Sequence, residues 1–399
     1  MITRTIFILS LVSLFADIAS EMLYPVMPLY LKHIGFSAIG LGLLEGLANA
    51  TAALSKGYFG YWSDITQRRM PFVRWGYALS ALSKPLTIIS TATIWILAVR
   101  TTDRLGKGIR TAPRDAILAA ESAAQHRGAV FGFHRAFDTM GAALGPALAL
   151  YLLHLYPKQY ALVFVIAVLP GLVSVLFTFA VRDTNAPIDT AKPNSLQGGN
   201  PFRFLGYWAK APVAYQRIAV LAWLFAAVNS ADAFLLLRLH QIGCSDTQVI
   251  SAYMFFNLVF AIAAYPLGKL GDWWGMKPTY LCGLALFGGV YIGMVWVQSW
   301  WGALCLLLGY GIYAAATESL VKAWISRLCP PDQVATGLGL YASMTGVATF
   351  AASVWTGFVW HYCGATAAFA VSGIAAIGLA VAGIFLLVPP LLSGAAKAV

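Results

Sequence analysis

The chain has few charged residues for its length, and it lacks the short patterns that mark common catalytic and metal sites. Only 10% of its 399 residues are Asp, Glu, Lys or Arg, whereas a soluble domain has about 25%. The five cysteines form no CxxC pair and the six histidines form no HxxxH pattern, which argues against a disulfide framework or a zinc site. A GxxxxGK(S/T) phosphate loop is also missing, so a built-in ATPase is not expected. We therefore expect neither an enzyme nor a bound cofactor or metal.

Long apolar stretches fill most of the chain, which is 60% hydrophobic. A helix that crosses a bilayer needs about 20 mainly apolar residues, and the runs and breaks on that scale predict twelve spans. One long polar stretch, rich in Pro and Gly, interrupts them. We predict an N-terminal bundle of six spans at 1–182, a cytoplasmic linker at 183–212 and a C-terminal bundle of six spans at 213–399. Within the linker, residues 202–208 are expected to lie on the membrane surface.

Lys and Arg residues are concentrated on one side of the predicted spans. With both termini placed in the cytoplasm, the cytoplasmic loops and helix ends collect most of them, and the other side collects only Lys32, Lys158 and Arg238. This bias follows the positive-inside rule. It predicts a multi-pass protein of the inner (cytoplasmic) membrane with both termini in the cytoplasm. It also accounts for the net charge of +11, so no nucleic-acid partner is expected.

Ionisable residues within the predicted spans are concentrated in the first 140 residues of the chain. A charge at the centre of a spanning helix costs about 2.5–3.5 kcal/mol on insertion scales, so these groups must pair or line a hydrated cavity. Helical spacing places those of spans one, two, four and five on faces that can converge on one interior. The structural alternative is a set of buried ion pairs that only orient helices. The residues are Asp17, Glu21, Glu45, Lys56, Lys84, Arg100, Asp103, Arg104, Lys107, Arg135 and Asp138.

One loop pattern occurs twice. The sequence G-x-x-x-D followed by a cationic turn stands between spans two and three and again between spans eight and nine. An internal repeat of six spans is typical of transporters built from parallel repeats. The residues are Gly60, Asp64, Arg68 and Arg69 in the first copy and Gly268, Asp272 and Lys277 in the second.

These two loops make the chain resemble the major facilitator superfamily over its whole length. Residues 104–108 are similar to that family's R-x-x-Q-G motif, with Lys107 in place of the glutamine. Gly141, Gly145 and Pro146 in span five resemble the glycine–proline motif of antiporters. The resemblance implies an all-α membrane fold of twelve transmembrane helices in two pseudo-symmetric six-helix bundles. It also implies alternating access and a monomer.

The resemblance further implies a mechanical role for the repeated loops. Asp64 is expected to contact the N-terminal end of span eleven near Gln333, where the positive end of the helix dipole favours an anion. The two arginines that follow Asp64 would brace the loop. Asp272 and Lys277 are expected to repeat the contact at the start of span five. The glycines of span five would either seal that helix against a neighbour, as in antiporters, or serve ordinary small-residue packing.

The charges predict a coupling mechanism. A carboxyl group whose surroundings alternate between dry and wet states can bind a proton on one side and release it on the other. We expect Asp17, Glu21 or Asp138 to carry this proton and Arg104 to expel it. Substrate contacts are expected from polar residues on facing helices of both halves. These residues are Glu45, Asn49, Lys107, Arg110, Arg135, Asn229, Asp232 and Asn257.

The function favoured by these patterns is proton-coupled efflux of a small organic solute by antiport. Symport of an anionic solute into the cell stays open, because span four presents a cationic stripe. Coupling to Na⁺ also stays open, since carboxylates such as Asp17, Glu45 and Asp103 could bind a hard cation. A membrane enzyme or a receptor is disfavoured, because an enzyme would need a nucleophile–base constellation or a metal cluster.

Overall fold

The computed structural model describes residues 1–24, 26–35, 38–182 and 202–387. Within these ranges the chain is helical, with short connecting loops. Residues 183–201, which make up most of the predicted linker, lie outside the described residues.

The N-terminal half begins and ends with an interrupted span. The first span consists of two helices, α1 and α2, and the sixth of α7 and α8, whereas each of the other spans is one continuous helix. The helices are α1 (Arg4–Glu21), α2 (Val26–His33), α3 (Ala38–Thr66), α4 (Met70–Leu86), α5 (Thr93–Ala120), α6 (Arg127–Leu155), α7 (Tyr160–Ile166) and α8 (Val168–Thr178).

The C-terminal half also begins with an interrupted span, formed by α10 and α11, and it ends with a sharp turn inside α15. Gly364 has φ 86°, a value that favours glycine, and there the chain reverses so that α15 forms two spans. The helices are α9 (Tyr207–Lys210), α10 (Val213–Ala226), α11 (Ala233–Gln241), α12 (Asp246–Trp274), α13 (Met276–Trp296), α14 (Trp300–Leu328) and α15 (Val334–Leu386).

The architecture is an all-α membrane protein of twelve transmembrane helices in two six-helix bundles. Among the described residues, six helical segments pass a strict test of length and hydropathy for crossing a membrane. The charged helices α3, α4 and α5 do not belong to that set. Their ionisable side chains are compatible with a bilayer only where other helices cover them.

The two halves meet through backbone contacts of α3 with α15 and of α6 with α12. A Cβ atom at Gly60 would overlap the Ala335 carbonyl oxygen, and one at Gly132 would overlap the Ala264 carbonyl oxygen. These approaches lie toward the end of the bundle that carries the repeated loops, residues 60–69 and 268–277. We call this end the motif end. The two halves are thus closed against each other there.

Part of the predicted linker lies between the two halves at the motif end. Phe204 and Tyr207 are buried, and a Cβ atom at Gly57 of α3 would overlap the Phe204 ring. On the other side, a Cβ atom at Gly337 of α15 would lie 3.4 Å from the Tyr207 ring. The expectation that 202–208 lies on the membrane surface was therefore wrong for these two aromatic residues, because glycines leave room for their rings.

Candidate functional site

A pair of carboxyl groups lies at the junction of α1 and α6. Asp17 and Asp138 can approach because Gly141 lets the two backbones come close: a Cβ atom there would lie 2.7 Å from the Leu14 carbonyl oxygen. The two carboxyl groups lie close enough to interact electrostatically. Two carboxylates at close range repel each other, so such a pair favours binding of one proton. Ser13 donates a hydrogen bond to Asp138.

Two cations lie next to Asp138. Arg135 Nη1 donates to Asp138 Oδ2 at 2.8 Å, and Arg114 Nη1 lies 4.0 Å from Asp138 Oδ1. Among the described residues, no Lys or Arg nitrogen lies within 4.0 Å of a carboxyl oxygen of Asp17. Nearby guanidinium groups favour the ionised form of a carboxyl group, so this arrangement stabilises a negative charge on Asp138 more than one on Asp17.

The expected role of Arg104 beside this pair is not matched by its position. Arg104 follows Asp103 in α5 and interacts electrostatically with it. Arg114 and Arg135 take the place next to Asp138. The sequence pointed to Arg104 through its motif, whereas Arg114 lies two to three turns further along the same face of α5.

Two ion pairs connect this site to the C-terminal half. Arg135 donates through Nη2 to Glu318 of α14. Lys322 Nζ, one turn further along α14, donates to Asp115 Oδ2 at 2.9 Å, and Arg114 holds the other oxygen of Asp115 at 2.8 Å. A cavity of about 30 Å³ lies between these groups, which is room for one or two water molecules. Both pairs must break if the halves separate here.

A second charged cluster lies between α4 and α5 and is structural in character. Lys84 Nζ lies 3.3 Å from Asp103 Oδ1, and Arg100 Nη1 lies 3.4 Å from Asp103 Oδ2. Ser80 Oγ donates to Asp103 Oδ1 at 2.6 Å. All of these residues are buried. They match the alternative of buried ion pairs that orient helices.

The other predicted substrate residues of the N-terminal half occupy different positions. The side chain of Glu45 lies outside the described residues. Asn49 is exposed on α3 and Lys107 is half-buried on α5. Arg110 was expected at the substrate site, but it is buried with its guanidinium 4.2 Å from the centroid of the Tyr77 ring. The cationic residues cover a wide face of α5, and the part of that face that carries Arg110 packs against α4.

Polar residues of the C-terminal half bind tyrosine hydroxyls. Asn229 Nδ2 donates to the Tyr313 hydroxyl at 2.8 Å, and the Tyr310 hydroxyl donates to Asp232 Oδ1 at 2.6 Å. Asn257 is buried and donates to a backbone carbonyl of its own helix. Asn229 and Asp232 thus bind neighbouring tyrosines of α14, whose ring centroids lie 5.1 Å apart. The two tyrosines were not expected at the site, although positions 310 and 313 share one helix face.

Glu21 lies at the boundary between the halves. Its carboxylate accepts a hydrogen bond of 3.2 Å from the Tyr253 hydroxyl of α12. A Cβ atom at Gly145 would lie 2.8 Å from the Glu21 Cβ atom, so this glycine brings α6 against α1 beside Glu21. Pro146 follows it within α6 and is buried. Gly141 and Gly145 therefore pack α6 against α1, whereas Gly132 packs it against the other half.

The first repeated loop makes its expected contact with span eleven. Asp64 Oδ2 accepts from the backbone N–H of Thr336 at 2.7 Å and from its hydroxyl at 2.8 Å, in the first turn of α15. Arg69 Nη2 holds Asp64 Oδ1 at 3.2 Å. Arg68, which was expected to brace the loop as well, is exposed.

The second loop makes the pseudo-equivalent contact with span five. Asp272 accepts from the backbone N–H groups of Gly128 at 2.8 Å and Ala129 at 2.7 Å, at the start of α6. The cation that pairs with Asp272 is Arg327 of α14. Lys277 was expected in this role, but its ammonium donates to the Ile384 carbonyl at 2.8 Å, near the end of α15. Arg327 is distant from the loop in sequence, but the end of α14 lies next to the loop in the structure.

Comparisons with known proteins agree with this architecture. The family model of the Major Facilitator Superfamily matches residues 9–278 and again 233–398. An uncharacterised MFS-type transporter of Methanocaldococcus jannaschii is 28% identical over 90% of this chain and 89% of its own length. A multi-drug resistance efflux pump PmrA homolog of Lactococcus lactis is 24% identical over 86% of this chain and 84% of its own length.

A solved structure shows the same fold. The crystal structure of the human organic anion transporter MFSD10 (TETRAN) superposes with a TM-score of 0.82, covering 96% of this chain and 99% of the other at 19% identity. Together with the repeated loops and the two six-helix bundles, the family match settles the classification: the chain belongs to the major facilitator superfamily of transporters.

Proposed function

We propose that this transporter exports a small organic solute in exchange for protons. The observation that supports the proposal is the close approach of the Asp17 and Asp138 carboxyl groups, because two carboxylates repel each other and such a pair favours binding of one proton. Arg135 binds Asp138 and Glu318 at the same time and so connects the pair to the opposite half.

Rocking of the two halves would change the electrostatics of the pair. With the motif end closed, Arg135 divides its charge between Asp138 and Glu318, and Lys322 neutralises Asp115 together with Arg114. When the halves separate at this end, Glu318 and Lys322 move away. Arg135 is then free to bind Asp138 alone, and water enters from the motif end. Better solvation favours ionised carboxyl groups, so the proton leaves Asp17 toward the motif end.

The direction of exchange follows from the predicted topology. If both termini are cytoplasmic, as the distribution of Lys and Arg predicts, the motif end is the cytoplasmic end. Protons would then enter the cell down their gradient while the solute leaves. The Lactococcus lactis relative, whose name describes an efflux pump, supports this direction. The site would act in a single protein chain, with a small-molecule substrate and the bilayer as its partners.

Symport of an anionic solute is the second candidate. Lys56 and Lys107 are both half-buried, and among the described residues no carboxylate oxygen lies within 4.0 Å of either ammonium. The fold likeness to a human organic anion transporter points the same way. Na⁺ coupling has less support, since Asp103 is held by Lys84 and Arg100.

A proteoliposome assay tests the proposal. Vesicles that contain the purified protein are loaded with a panel of organic cations, anions and neutral solutes, and a pH gradient is imposed in either direction. Antiport predicts solute accumulation in the more acidic compartment, and Asp17→Asn abolishes it. The matched control is Asp246→Asn, because the Asp246 side chain is 85% exposed and pairs only with His240 among the described residues. Accumulation of an anion away from the acidic compartment would establish symport instead.

A further inference from the structure

The interruption of span seven places polar groups opposite Glu21. Residues 227–232, between α10 and α11, are not helical and carry Asn229 and Asp232. Ser353 of α15 accepts a hydrogen bond from the Ala231 N–H at 3.2 Å within this break. Discontinuous helices of this kind form solute sites in many transporters.

Glu21 and Asp232 share an unusual environment. Each carboxylate is half-buried and accepts a hydrogen bond from a tyrosine hydroxyl, Tyr253 for Glu21 and Tyr310 for Asp232. Among the described residues, no Lys, Arg or His nitrogen lies within 4.0 Å of either carboxylate. The two groups come from opposite halves, and they lie close enough to interact electrostatically.

A continuous wall of aromatic rings connects the two carboxylates. The Tyr253 ring contacts the Phe256 ring with centroids 5.3 Å apart and an interplanar angle of 88°. Phe256 contacts the Tyr310 ring at 5.4 Å and 79°. Tyr24, whose side chain is exposed, stacks on Tyr253 at 5.7 Å. The rings of this wall thus lie between the carboxylates of Glu21 and Asp232.

We infer that the solute is an organic cation with an apolar body, bound between Glu21 and Asp232 against the Tyr253–Phe256–Tyr310 wall. This inference names the substrate class of the proposed transport site. Burying a carboxylate is costly unless a positive group compensates it, and a bound cation would compensate two. Aromatic faces attract cations, whereas the pair of carboxylates would repel an anion.

The site also suggests how the solute would be released. Glu21 belongs to the N-terminal half, and Tyr253 and Asp232 belong to the C-terminal half. A rocking motion that separates α1 from α12 would divide the two carboxylates and break the Glu21–Tyr253 hydrogen bond. The cation then loses one of its two counter-charges and binds more weakly. The solute is therefore released when the two halves separate beside Glu21.

Binding of two ions of equal shape and opposite charge tests the inference. Tetraphenylphosphonium and tetraphenylborate are each titrated, separately, into the purified full-length protein in detergent. We expect saturable binding of the phosphonium ion and none of the borate. Glu21→Gln and Asp232→Asn should each weaken phosphonium binding about tenfold or more, as expected for loss of a desolvated charge contact. Asp246→Asn should bind like the wild type.

Three further variants keep the test decisive if a neutral substitution misfolds. Glu21→Asp and Asp232→Glu retain the charge and should retain most of the binding. Tyr310→Phe retains the ring and should weaken binding less than Asp232→Asn. Saturable phosphonium binding that both neutral variants preserve would overturn the inference. Binding of the borate in place of the phosphonium, or no saturable binding of either ion, would also overturn it.

The proton site provides an independent comparison. Asp17→Asn should still bind tetraphenylphosphonium in preference to tetraphenylborate, because Glu21 and Asp232 are unchanged. Cation binding without any pH-driven movement in the wild type would refute proton antiport and leave the cation site intact. Conversely, pH-driven transport of an anion or a neutral solute, with no cation binding, would refute the cation site alone.

Discussion

Asp64 and Thr336 lie in opposite halves of the transporter and are joined by two hydrogen bonds, one to the Thr336 N–H at 2.7 Å and one to its hydroxyl at 2.8 Å. Asp272 contacts the start of α6 in the pseudo-equivalent way. Each carboxylate satisfies N–H groups in the first turn of a helix of the other half, where the helix dipole also favours an anion. We call these two contacts, which join the halves at the motif end, the clasps.

Removing one clasp should open the motif end more often. A cap of this kind contributes about 0.5–2 kcal/mol, so Asp64→Ala should raise the population of the open state by about 2- to 30-fold. Cys329, buried beside Gly337 and Tyr207, reports this opening in a variant that has no other cysteine. Its rate of modification should rise in Asp64→Ala and stay unchanged in Asp246→Ala. An unchanged rate in Asp64→Ala would contradict the role of the clasp.

The pH dependence of Cys329 modification reports its burial at the closed motif end. Burial raises the pKa of the Cys329 thiol to about 11. The thiolate is the reactive form, and with this pKa only about one thiol in a thousand is ionised at pH 8. The rate with iodoacetamide should therefore keep rising between pH 9 and pH 10.5. A variant that retains only the exposed Cys363 should react faster at pH 8. A plateau for Cys329 near pH 9 would show that the thiol is not buried.

A larger residue at a glycine of α6 that contacts the other half should shift the transporter toward the state open at the motif end. Gly132→Ala places a methyl group against the Ala264 carbonyl of the other half, and overpacking of this kind costs about 1–3 kcal/mol. It should favour the state open at the motif end, measured as faster Cys329 modification. Gly378→Ala is the matched control, because nothing lies within 4 Å of a Cβ atom there. Equal rates in the two variants would argue against direct α6–α12 contact.

The Lys84–Asp103 pair should matter for stability more than for coupling. Asp103 compensates two buried cations, Lys84 and Arg100, so Asp103→Asn should destabilise the protein by about 3–5 kcal/mol. Lys84→Met leaves Arg100 beside Asp103 and should destabilise it less. Thermal unfolding in detergent gives the ranking. If Lys84→Met unfolds like the wild type but no longer couples transport to the pH gradient, the pair belongs to the transport mechanism.

The sequence was sufficient to predict the architecture and to single out Asp17 and Asp138, which lie at the junction of α1 and α6. Hydropathy and the repeated loops indicate two six-helix bundles, and Asp17 and Asp138 could be selected because each is an acid on a glycine-bearing or proline-flanked span. The contact of Asp64 with span eleven could also be expected, since it depends on one carboxylate and one helix N-terminus.

Partners that are distant in sequence could not be predicted in the same way. Helical spacing places Arg104, Arg110 and Arg114 on one broad face of α5, but it does not show which part of that face is covered by α4 and which by α6. Arg327 and Lys277 are both cations near Asp272, and only packing of α14 selects Arg327. Tyr253 and Tyr310 carry no charge and lie in long apolar helices, so their role beside the carboxylates depends on the three-dimensional arrangement.

We propose that the proton exchanged for the solute resides on Asp17, next to Asp138. The most direct test compares two transport modes of Asp17→Asn in proteoliposomes, with tetraphenylphosphonium as solute. Exchange of labelled for unlabelled ion at equal pH, beyond that of protein-free vesicles, requires only alternating access, whereas accumulation under a pH gradient requires the proton. We predict that Asp17→Asn exchanges the ion but does not accumulate it. Accumulation at the wild-type level in this variant would show that the proton is carried elsewhere.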